Sequence, residues 1–407
     1  MNSGLRWYLT SSALFLVPGG IQIVLFPFLV AVVLAESPSR VGMAQMASQL
    51  PMLLLILWGG VVGDRLDQRK LLVGLQLGMV VPPLIIALLA AQDALSYTIL
   101  VCWALVGGTF AAFAQPARDA LLNRIAGAEI QRVVILSLGV QYGVQIFGFA
   151  VGSTAADLGV VPILICQAMV FALAAWTTRL IQLAPSPPRQ ATGTTALAEI
   201  REGIQLAWHS RTIRPAIFQA FAVGIFFAGT YVVVLPLMVR DVYNGDSGGI
   251  AMAFTANMLG MCTTIAWLMW RGGVARPGRA LLLGSSVSLS VLSVLSQPLP
   301  EWMFYGVIYC WGMCGGISMT MSRGIVQEAA PEQARARLLS VYSLGFMGGM
   351  PIGSALLGWC VEWLGPHDAI WVPVVGMLTI TLALGLLTDL WSVERAPPAL
   401  PEHLEAG

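Results

Sequence analysis

Twelve apolar stretches, each about the length of one membrane crossing, constrain this chain more than any other feature of its sequence. They lie near residues 8–34, 41–62, 71–91, 96–117, 133–156, 160–181, 215–239, 249–270, 280–297, 302–322, 338–361 and 369–391. A bilayer core about 30 Å thick is spanned by roughly 20 apolar residues in a helix. Only 10% of the 407 residues are charged, against roughly a quarter in soluble domains. The sequence therefore predicts an all-α integral membrane protein with twelve transmembrane helices, termed spans 1 to 12.

Basic residues indicate the orientation of these spans, because Lys and Arg collect on the cytoplasmic side of a membrane. With the N-terminus inside, 19 of the 21 Lys and Arg residues fall in inside segments, and only Arg40 and Arg240 fall outside. The first span is too long for the apolar region of a signal peptide, so we expect it to be retained. The sequence thus predicts a multi-pass membrane protein with both termini in the cytoplasm.

The longest polar stretch between spans divides the chain into two halves of six spans. We expect an N-terminal six-helix bundle (1–181), a cytoplasmic linker (182–213), a C-terminal six-helix bundle (214–391) and a cytoplasmic tail (392–407). The linker opens with "APSPPRQATGTT", which is typical of flexible segments. Its second part carries an apolar stripe at helical spacing, formed by Leu197, Ile200, Ile204 and Trp208. That stripe predicts an amphipathic helix lying at the membrane interface.

The two halves resemble each other at an offset of 205 residues. Three pairs share this offset, namely Arg118 with Arg323, Arg132 with Arg337, and Asp157 with Glu362. Internal repeats of six spans are typical of transporters whose two bundles rock about a central site. The pairs therefore predict two pseudo-symmetric six-helix bundles.

A cluster of charges follows span 2, in the stretch "GGVVGDRLDQRKLL". This stretch resembles the most recognisable signature of the major facilitator superfamily, which matches here at Gly60, Asp64, Arg65, Arg69 and Lys70. Asp67 and Gln68 depart from the usual signature. The form "DRxDxRxLL" is similar to one bacterial branch, that of the enterobactin exporter, macrolide efflux pumps and the lysophospholipid transporter. "REGIQLAWHSRTIRPAI" and "PARDALLNRIAGAEIQR" resemble further segments of the same branch.

The resemblance implies that this loop is a conformational latch. In the family, the loop Asp lies at the N-terminus of span 11, where exposed amide groups favour an anion. Carried to this chain, Asp64 would dock near Leu338 to Ser340 and share a charge network with Arg65, Arg69 and Asp119. The corresponding loop of the second half, "RGGVARPGR", contains no acid, so we expect a weaker latch there. The alternative is that the loop charges serve only to orient the spans.

Uncharged polar and aromatic side chains lie near the middle of the spans, where a charge would cost about 3 kcal/mol. The polar set comprises Gln22, Gln45, Gln49, Thr109, Gln141, Gln145, Gln167, Gln219, Tyr231, Asn257, Tyr309 and Tyr342. The aromatic set comprises Phe26, Trp103, Phe226, Phe227, Trp311 and Phe346. Each polar group either bridges neighbouring helices or lines a wet cavity, and the sequence leaves both interpretations open. As a substrate cavity, the set suits a bulky, partly apolar or aromatic ligand.

Proton coupling requires a titratable group that is exposed to alternate sides of the membrane. The acids at span ends are the candidates, and we single out Asp157 and Glu362 because they share the repeat offset. The alternative is that both are simply solvated span ends. Glycines in span 5 at 139, 143, 148 and 152 resemble a coupling signature of proton-linked exporters, but close helix packing explains them equally well.

The sequence lacks the constellations that other chemistries require. All six cysteines lie in apolar runs, and we find no catalytic cluster, metal-ligand set or nucleotide-binding motif. We therefore expect no enzyme activity, no metal and no other cofactor. A net charge of +1 gives no argument for nucleic acid. A transporter-like sensor would usually carry an added soluble domain, which the short tail after Trp391 does not provide.

Together these features predict a secondary active transporter that works by alternating access. We expect it to export an amphipathic small molecule, with a siderophore or similar secondary metabolite as the first substrate class and proton antiport as the energy source. Multidrug or macrolide efflux is the second interpretation, and lysophospholipid transport is the third. The expected partners are the small-molecule substrate and membrane lipid, and we expect the protein to act as a monomer.

Overall fold

The computed structural model describes residues 3–126, 130–181, 196–271, 274–332 and 334–394, and the regular structure within these ranges is helical. Spans 1 to 6 are Gly4–Val33, Pro38–Arg65, Gln68–Ala91, Tyr97–Ala126, Ile130–Ser153 and Val160–Arg179. Spans 7 to 12 are Ile213–Asp241, Ser247–Arg271, Pro277–Ser296, Glu301–Ala329, Arg335–Asp368 and Trp371–Leu387. Each predicted apolar run coincides with one of these helices. Within the described ranges, nine helices are long and apolar enough to cross a bilayer.

The twelve spans run alternately between two ends of the bundle. We call the end that holds the segments after spans 2, 4, 6, 8 and 10 the basic end, because nearly all Lys and Arg residues lie there. The other end is called the opposite end. Glycine or proline marks the breaks within spans. Span 1 changes to a π-helix after Pro27, and span 11 breaks at Gly365, whose φ of 79° is accessible to glycine without strain.

Glycines set the closest helix contacts in both halves, and they show which positions are equivalent. A Cβ atom on Gly148 of span 5 would collide with Gly20 and the Val17 carbonyl of span 1. A Cβ atom on Gly349 of span 11 would collide in the same way with Gly224 and the Phe221 carbonyl of span 7. Backbones approach this closely only where no side chain intervenes. The same helix pair is therefore built twice, once in each half.

These contacts correct the offset that the sequence predicts for part of the repeat. Gly148 is equivalent to Gly349, and by the same contacts Gly152 is equivalent to Gly353, so spans 5 and 11 match at 201 residues rather than 205. Spans 1 and 7 match at 204, as Gly20 and Gly224 show. At an offset of 201, Asp157 and Glu362 are not at equivalent positions. Charges at span ends are a poor guide to equivalent positions, because solvated ends tolerate insertions that packed helix centres do not.

Two helix pairs make the most extensive contacts between the halves. Spans 2 and 11 meet at Gly42 and Gly358, where a Cβ atom on either glycine would lie under 3 Å from the other residue's Cα. Spans 5 and 8 meet at Phe149 and Phe254, whose ring centroids are 6.0 Å apart. Both phenylalanines are fully buried in a core cluster that includes residues of both halves.

The linker helix Ala196–His209 lies at the basic end and packs against span 11. Gly203 contacts Val341, and Glu202 forms a 2.7 Å ion pair with Arg337. Ile204 and Trp208 of the predicted apolar stripe are 49% and 59% exposed, and the Trp208 ring meets that of Phe218 of span 7 edge to face, with centroids 6.1 Å apart. The side chains of Leu197 and Ile200, the linker residues 182–195 and the tail from 395 onward lie outside the described residues.

Candidate functional site

In the first half, the mid-depth residues of span 1 contact spans 4 and 6. The side-chain amide of Gln167 donates to Gln22 Oε1 and to the Pro18 carbonyl, both at 3.2 Å. The rings of Phe26 and Trp103 meet edge to face, with centroids 6.0 Å apart. Gln22 thus bridges neighbouring helices, which is one of the two roles that the sequence leaves open, and its side chain is only partly buried.

Spans 2 and 5 carry the other predicted amides of the first half. Gln45 is buried, and Gln49 Oε1 accepts a 3.4 Å hydrogen bond from Ser354 Oγ of span 11. Gln141 and Gln145 of span 5 are half-buried. Because residues three and four apart share a helix face, they lie on the same stripe as Gly148, which faces span 1.

In the second half, aromatic rings occupy the corresponding depth. Trp311 of span 10 is buried against Phe227 of span 7, with ring centroids 5.7 Å apart. Phe226 lies where the first half has Gln22, and its ring rests on Gly376 of span 12 rather than on a span of the first half. Sequence reasoning places Phe226 in the cavity by depth alone, and depth does not specify which neighbour a ring contacts.

The remaining predicted residues of the second half are held by specific contacts. Tyr231 stacks on Phe254 with centroids 4.5 Å apart, close to the interface of spans 5 and 8. Asn257 donates a long, 3.5 Å hydrogen bond to a backbone carbonyl of span 10. The Tyr342 hydroxyl lies 2.7 Å from Ser322 Oγ in the basic-end core of the second half.

Equivalent positions therefore differ in chemistry between the halves. By the offset of 201, Gln141 corresponds to Tyr342 and Gln145 corresponds to Phe346. Both members of the second pair are half-buried. The first half presents amides where the second half presents aromatic rings.

The charged loop after span 2 begins span 3 and ties it to its neighbours. Asp67 is the N-cap of span 3, and its Oδ1 accepts a 2.9 Å hydrogen bond from the Lys70 amide. Gln68 is buried. Its amide donates to the Gly63 carbonyl at 3.1 Å, and its Oε1 accepts from Arg124 of span 4 at 2.7 Å. The two residues that depart from the usual signature thus have structural roles within the first half.

The other residues predicted to form the latch belong to the same loop or to the helix ends beside it. Arg69 donates a 3.1 Å hydrogen bond to the Ile181 carbonyl, just after span 6, where a cation complements the helix C-terminus. A Cβ atom on Gly60 would meet no neighbour within 4 Å. The side chains of Asp64 and Arg65 lie outside the described part of the structure, so their proposed docking on span 11 remains a prediction.

Asp119 of span 4 has a local partner. Its two carboxylate oxygens lie 3.4 and 3.2 Å from Gln115 Nε2, and Gln115 Oε1 in turn accepts from Arg118 at 3.0 Å. This chain of contacts places Asp119 beside a cation on its own helix.

At the opposite end, charged side chains of the second half cap helix ends of the first half. Glu362 of span 11 accepts the Ser39 N–H at 2.8 Å, in the first turn of span 2. Arg240, just before the end of span 7, donates to the Ala31 and Glu36 carbonyls at 3.0 and 2.8 Å, at the end of span 1. An anion at a helix N-terminus and a cation at a C-terminus are both favourable. Sequence reasoning treats Arg240 only as an orientation charge, since contacts between halves leave no local signal.

Spans 5 and 8 are joined at the same end by a neutral contact. Ser247 Oγ donates to the Ser153 carbonyl at 2.7 Å. The first turn of span 8 is capped by its own chain, because Asp246 accepts the Gly248 N–H at 2.8 Å. Asp157 is exposed beyond the end of span 5.

Comparison with known proteins identifies the family. A family model described as "transmembrane secretion effector" matches residues 10–403. The chain belongs to that family. The fold of this chain is similar to that of the nucleoside transporter NupG, with a TM-score of 0.75 and 13% identity over 97% of this chain and 100% of that one. It is also similar to a bacterial homologue of the human lysosomal transporter Spinster in an inward-facing, unoccupied conformation, with a TM-score of 0.72 and 13% identity over 98% and 100%.

No curated protein matches this chain. Family membership confirms the resemblance to the major facilitator superfamily, and the solved structures confirm its all-helical, twelve-span architecture. The protein is accordingly a multi-pass membrane transporter and not an enzyme.

Proposed function

We propose that this protein exports an amphipathic small molecule across the bacterial inner membrane by alternating access, in exchange for protons. A siderophore or a similar secondary metabolite is the first substrate class. The observation that carries this proposal is the difference between the halves at mid-depth, where the half-buried Gln145 corresponds to the half-buried Phe346. A molecule with one polar and one aromatic or apolar side matches both surfaces at once.

The absence of fixed charge at mid-depth supports the same class of substrate. The middle thirds of all twelve spans contain no Asp, Glu, Lys or Arg. A substrate with a full charge would lack an ionic partner there, and charge in the membrane is costly without one. The substrate is therefore expected to be neutral overall or to carry its charge outside the binding surface.

Alternating access needs contacts that join the halves at one end and separate as the other end closes. The Glu362 and Arg240 caps and the Ser247 contact join the halves at the opposite end, and they support an arrangement closed on that side. At the basic end, Asp64 is proposed to latch onto the start of span 11 when that side closes. Arg65, Arg69 and Asp119 share its charge network.

Of the two acids proposed for proton coupling, Glu362 has the better-supported role. Its carboxylate accepts a backbone N–H across the halves, and protonation would weaken that charge-assisted bond. The nearby charges, Glu36 and Arg40, pair with each other at 2.8 Å. Asp157 retains a proposed role as a second proton site, although its position is not equivalent to that of Glu362.

The exposed side chains and the charge distribution support the proposed location in the membrane. Large apolar side chains that are more than three-quarters exposed, among them Trp270, Trp302, Trp363, Leu386 and Leu387, suit contact with lipid. With nearly all basic residues at one end, both termini are proposed to lie in the cytoplasm. The protein is proposed to act as a monomer.

The test is mass spectrometry of spent medium and cell extract from the source bacterium, with and without this gene, in iron-starved and iron-replete culture. We expect an iron-binding metabolite to be absent from the medium of the deletion strain and to accumulate in its cells. Complementation with the wild-type gene should restore export, and complementation with Asp64→Asn should not. If no metabolite changes in either condition, export of an endogenous siderophore is wrong. Drug susceptibility and lysophospholipid uptake then distinguish the two alternative substrates.

A further inference from the structure

A groove of about 370 Å³ follows the contact between spans 5 and 8. Span 8 supplies most of its lining, span 5 supplies Ala150 and Ser153, and span 10 supplies Tyr305. Both halves therefore contribute to it. None of its lining residues belongs to the predicted substrate cavity, so the groove is a separate surface.

The groove opens away from the centre of the bundle. Met252 and Leu259 line it and are 56% and 46% exposed. Residues seven apart share one face of a helix. Phe254, on another face of span 8, is fully buried in the core cluster that includes both halves. Because span 8 crosses the membrane, its outward face meets lipid hydrocarbon, and the groove opens to the lipid.

The two contacts between the halves differ in how closely the backbones approach. Spans 2 and 11 touch backbone to backbone at Gly42 and Gly358. Spans 5 and 8 meet through the rings of Phe149 and Phe254, whose centroids are 6.0 Å apart. The two rings fill the inner side of this contact and hold the helices apart, which leaves room on the outer side for the groove.

The length of the groove matches one leaflet of a bilayer. Gly248 lies in the first turn of span 8 at the opposite end, and Leu259 lies near the middle of the same span. Roughly 16 Å of helix separates the two residues, and one leaflet contributes about 15 Å to the hydrocarbon core. A single acyl chain from the leaflet at the opposite end therefore fits along the groove.

A carboxylate without a cation lies where the groove reaches the opposite end. The hydroxyl of Tyr305, which lines the groove, donates to Glu301 Oε1 at 3.3 Å. Glu301 is exposed and forms no ion pair with any residue that the structure describes. Asp246 also lies at this end, but its carboxylate caps span 8. Arg40 and Arg240, the only basic residues that the sequence predicts at this end, pair with acids close to them in the chain. Glu301 is thus the acid that remains to meet a cation.

We propose that the groove binds one acyl chain of a resident phospholipid whose headgroup carries a protonated amine, as in phosphatidylethanolamine. The chain lies along Met252 and Leu259, and the ammonium group pairs with Glu301. A headgroup of glycerol and phosphate alone brings only negative charge to this carboxylate. The inference goes beyond the proposed function, because this lipid is bound as a partner and is not exported.

The experiment is native mass spectrometry of the purified full-length protein in detergent with equal amounts of two lipids. Palmitoyl-oleoyl phosphatidylethanolamine and palmitoyl-oleoyl phosphatidylglycerol share their chains and differ in their headgroups. We expect the wild type to retain the ethanolamine lipid about fivefold more, which is the upper range for one exposed ion pair. Glu301→Gln should remove this preference. Thr255→Trp, which places an indole ring in the groove, should strongly reduce retention of both lipids.

Each variant has a matched control outside the groove. Thr379→Trp makes the same change at an exposed position of span 12, and Asp368→Asn neutralises an exposed acid at the end of span 11. Both should retain the two lipids as the wild type does. Equal retention of the two lipids by the wild type, or a preference that survives Glu301→Gln, would show that no headgroup amine meets this carboxylate. Retention that Thr255→Trp leaves unchanged would place the lipid elsewhere on the surface. Any of these results overturns the proposal.

Discussion

The two halves of this transporter share a backbone arrangement but differ in what their mid-depth surfaces carry. Gly20 and Gly148 in the first half and Gly224 and Gly349 in the second form the same close helix contact. The residues around that contact differ, since the first half supplies amides and the second half supplies aromatic rings.

The difference shows which parts of the repeat are under structural constraint. A glycine contact between two backbones admits no side chain, so it is present in both halves. Positions beside that contact hold a glutamine in the first half and an aromatic residue in the second, and there the halves have different chemistry. We therefore expect residues that differ between the halves to determine function, and residues that are the same in both halves to determine stability.

The largest expected effect comes from disrupting the glycine contact between helices that both halves share. Gly148→Leu forces a side chain into the backbone of span 1, and Gly349→Leu does the same at span 7. Overpacking of this kind costs about 1–3 kcal/mol when neighbours can relax, and here the neighbours are backbone atoms. We expect neither variant to give monodisperse protein by size-exclusion chromatography.

Gly143→Leu is the control for this pair, because a Cβ atom at Gly143 would meet no neighbour within 4 Å. We expect its yield and elution to match those of the wild type. Normal folding of one glycine variant but not its counterpart would show that the two helix contacts are not equivalent.

The next effect concerns the loops after spans 2 and 8. Only the loop after span 2 contains acidic residues. Asp64→Asn should leave the protein in the membrane and reduce export to a tenth of wild type or less, within the roughly 5–150-fold range of coupling between states. Export of the metabolite identified in the deletion strain provides the measurement, and membrane abundance provides the control. Unimpaired export by this variant would restrict the loop charges to an orienting role.

Exchanging the chemistry of one equivalent pair tests the difference directly. We expect Gln145→Phe to reduce export of the same metabolite about tenfold, because one hydrogen bond to the polar side of the substrate is lost. Phe346→Gln should have a similar effect through lost aromatic contact. The double exchange should remain impaired, since it reverses the sides on which the amide and the ring lie. Wild-type export by the double variant would mean that the side on which each group lies is unimportant.

A smaller effect is expected from the caps on spans 2 and 8, both of which lie in the first helical turn. Span 2 is capped by Glu362 of the other half, whereas span 8 is capped by its neighbour Asp246. Glu362→Gln should shift the population toward the form open at the opposite end by roughly two- to fivefold, the range of helix-terminus charge effects. Pulsed electron paramagnetic resonance between spin labels at that end measures the shift. Asp246→Asn, which alters only a local cap, should leave the distance distribution unchanged.

The architecture was predictable because apolar runs report membrane crossings wherever they occur in the chain. The depth of residues such as Gln22 and Trp311 followed from counting along those runs. The register between the halves did not, since the offset of 205 rested on charges at span ends, while Gly148 and Gly349 fix it at 201.

Contacts between distant residues were the other part that the sequence did not predict. Nothing near Arg240 indicates that its guanidinium reaches the Ala31 carbonyl, because that contact depends on how the halves close. The cap formed by Asp67 is different, since Asp just before a basic and apolar helix is a local signal. This cap was not predicted, because the charges of the loop after span 2 were interpreted as a latch.

The smallest predicted effect separates that structural role from the latch. Span 3 begins with the Asp67 cap, whereas span 9 begins with Pro277 after Arg276, which makes no side-chain cap bond. Asp67→Ala should lower the free energy of unfolding by about 0.5–1 kcal/mol, the usual value of an N-cap, and Asp67→Ser should restore most of it. Thermal unfolding of the purified variants measures this change. Export should be nearly normal in both variants, because Asp67 holds the start of one helix and does not join the halves. A loss of export comparable to that of Asp64→Asn would make Asp67 part of the latch.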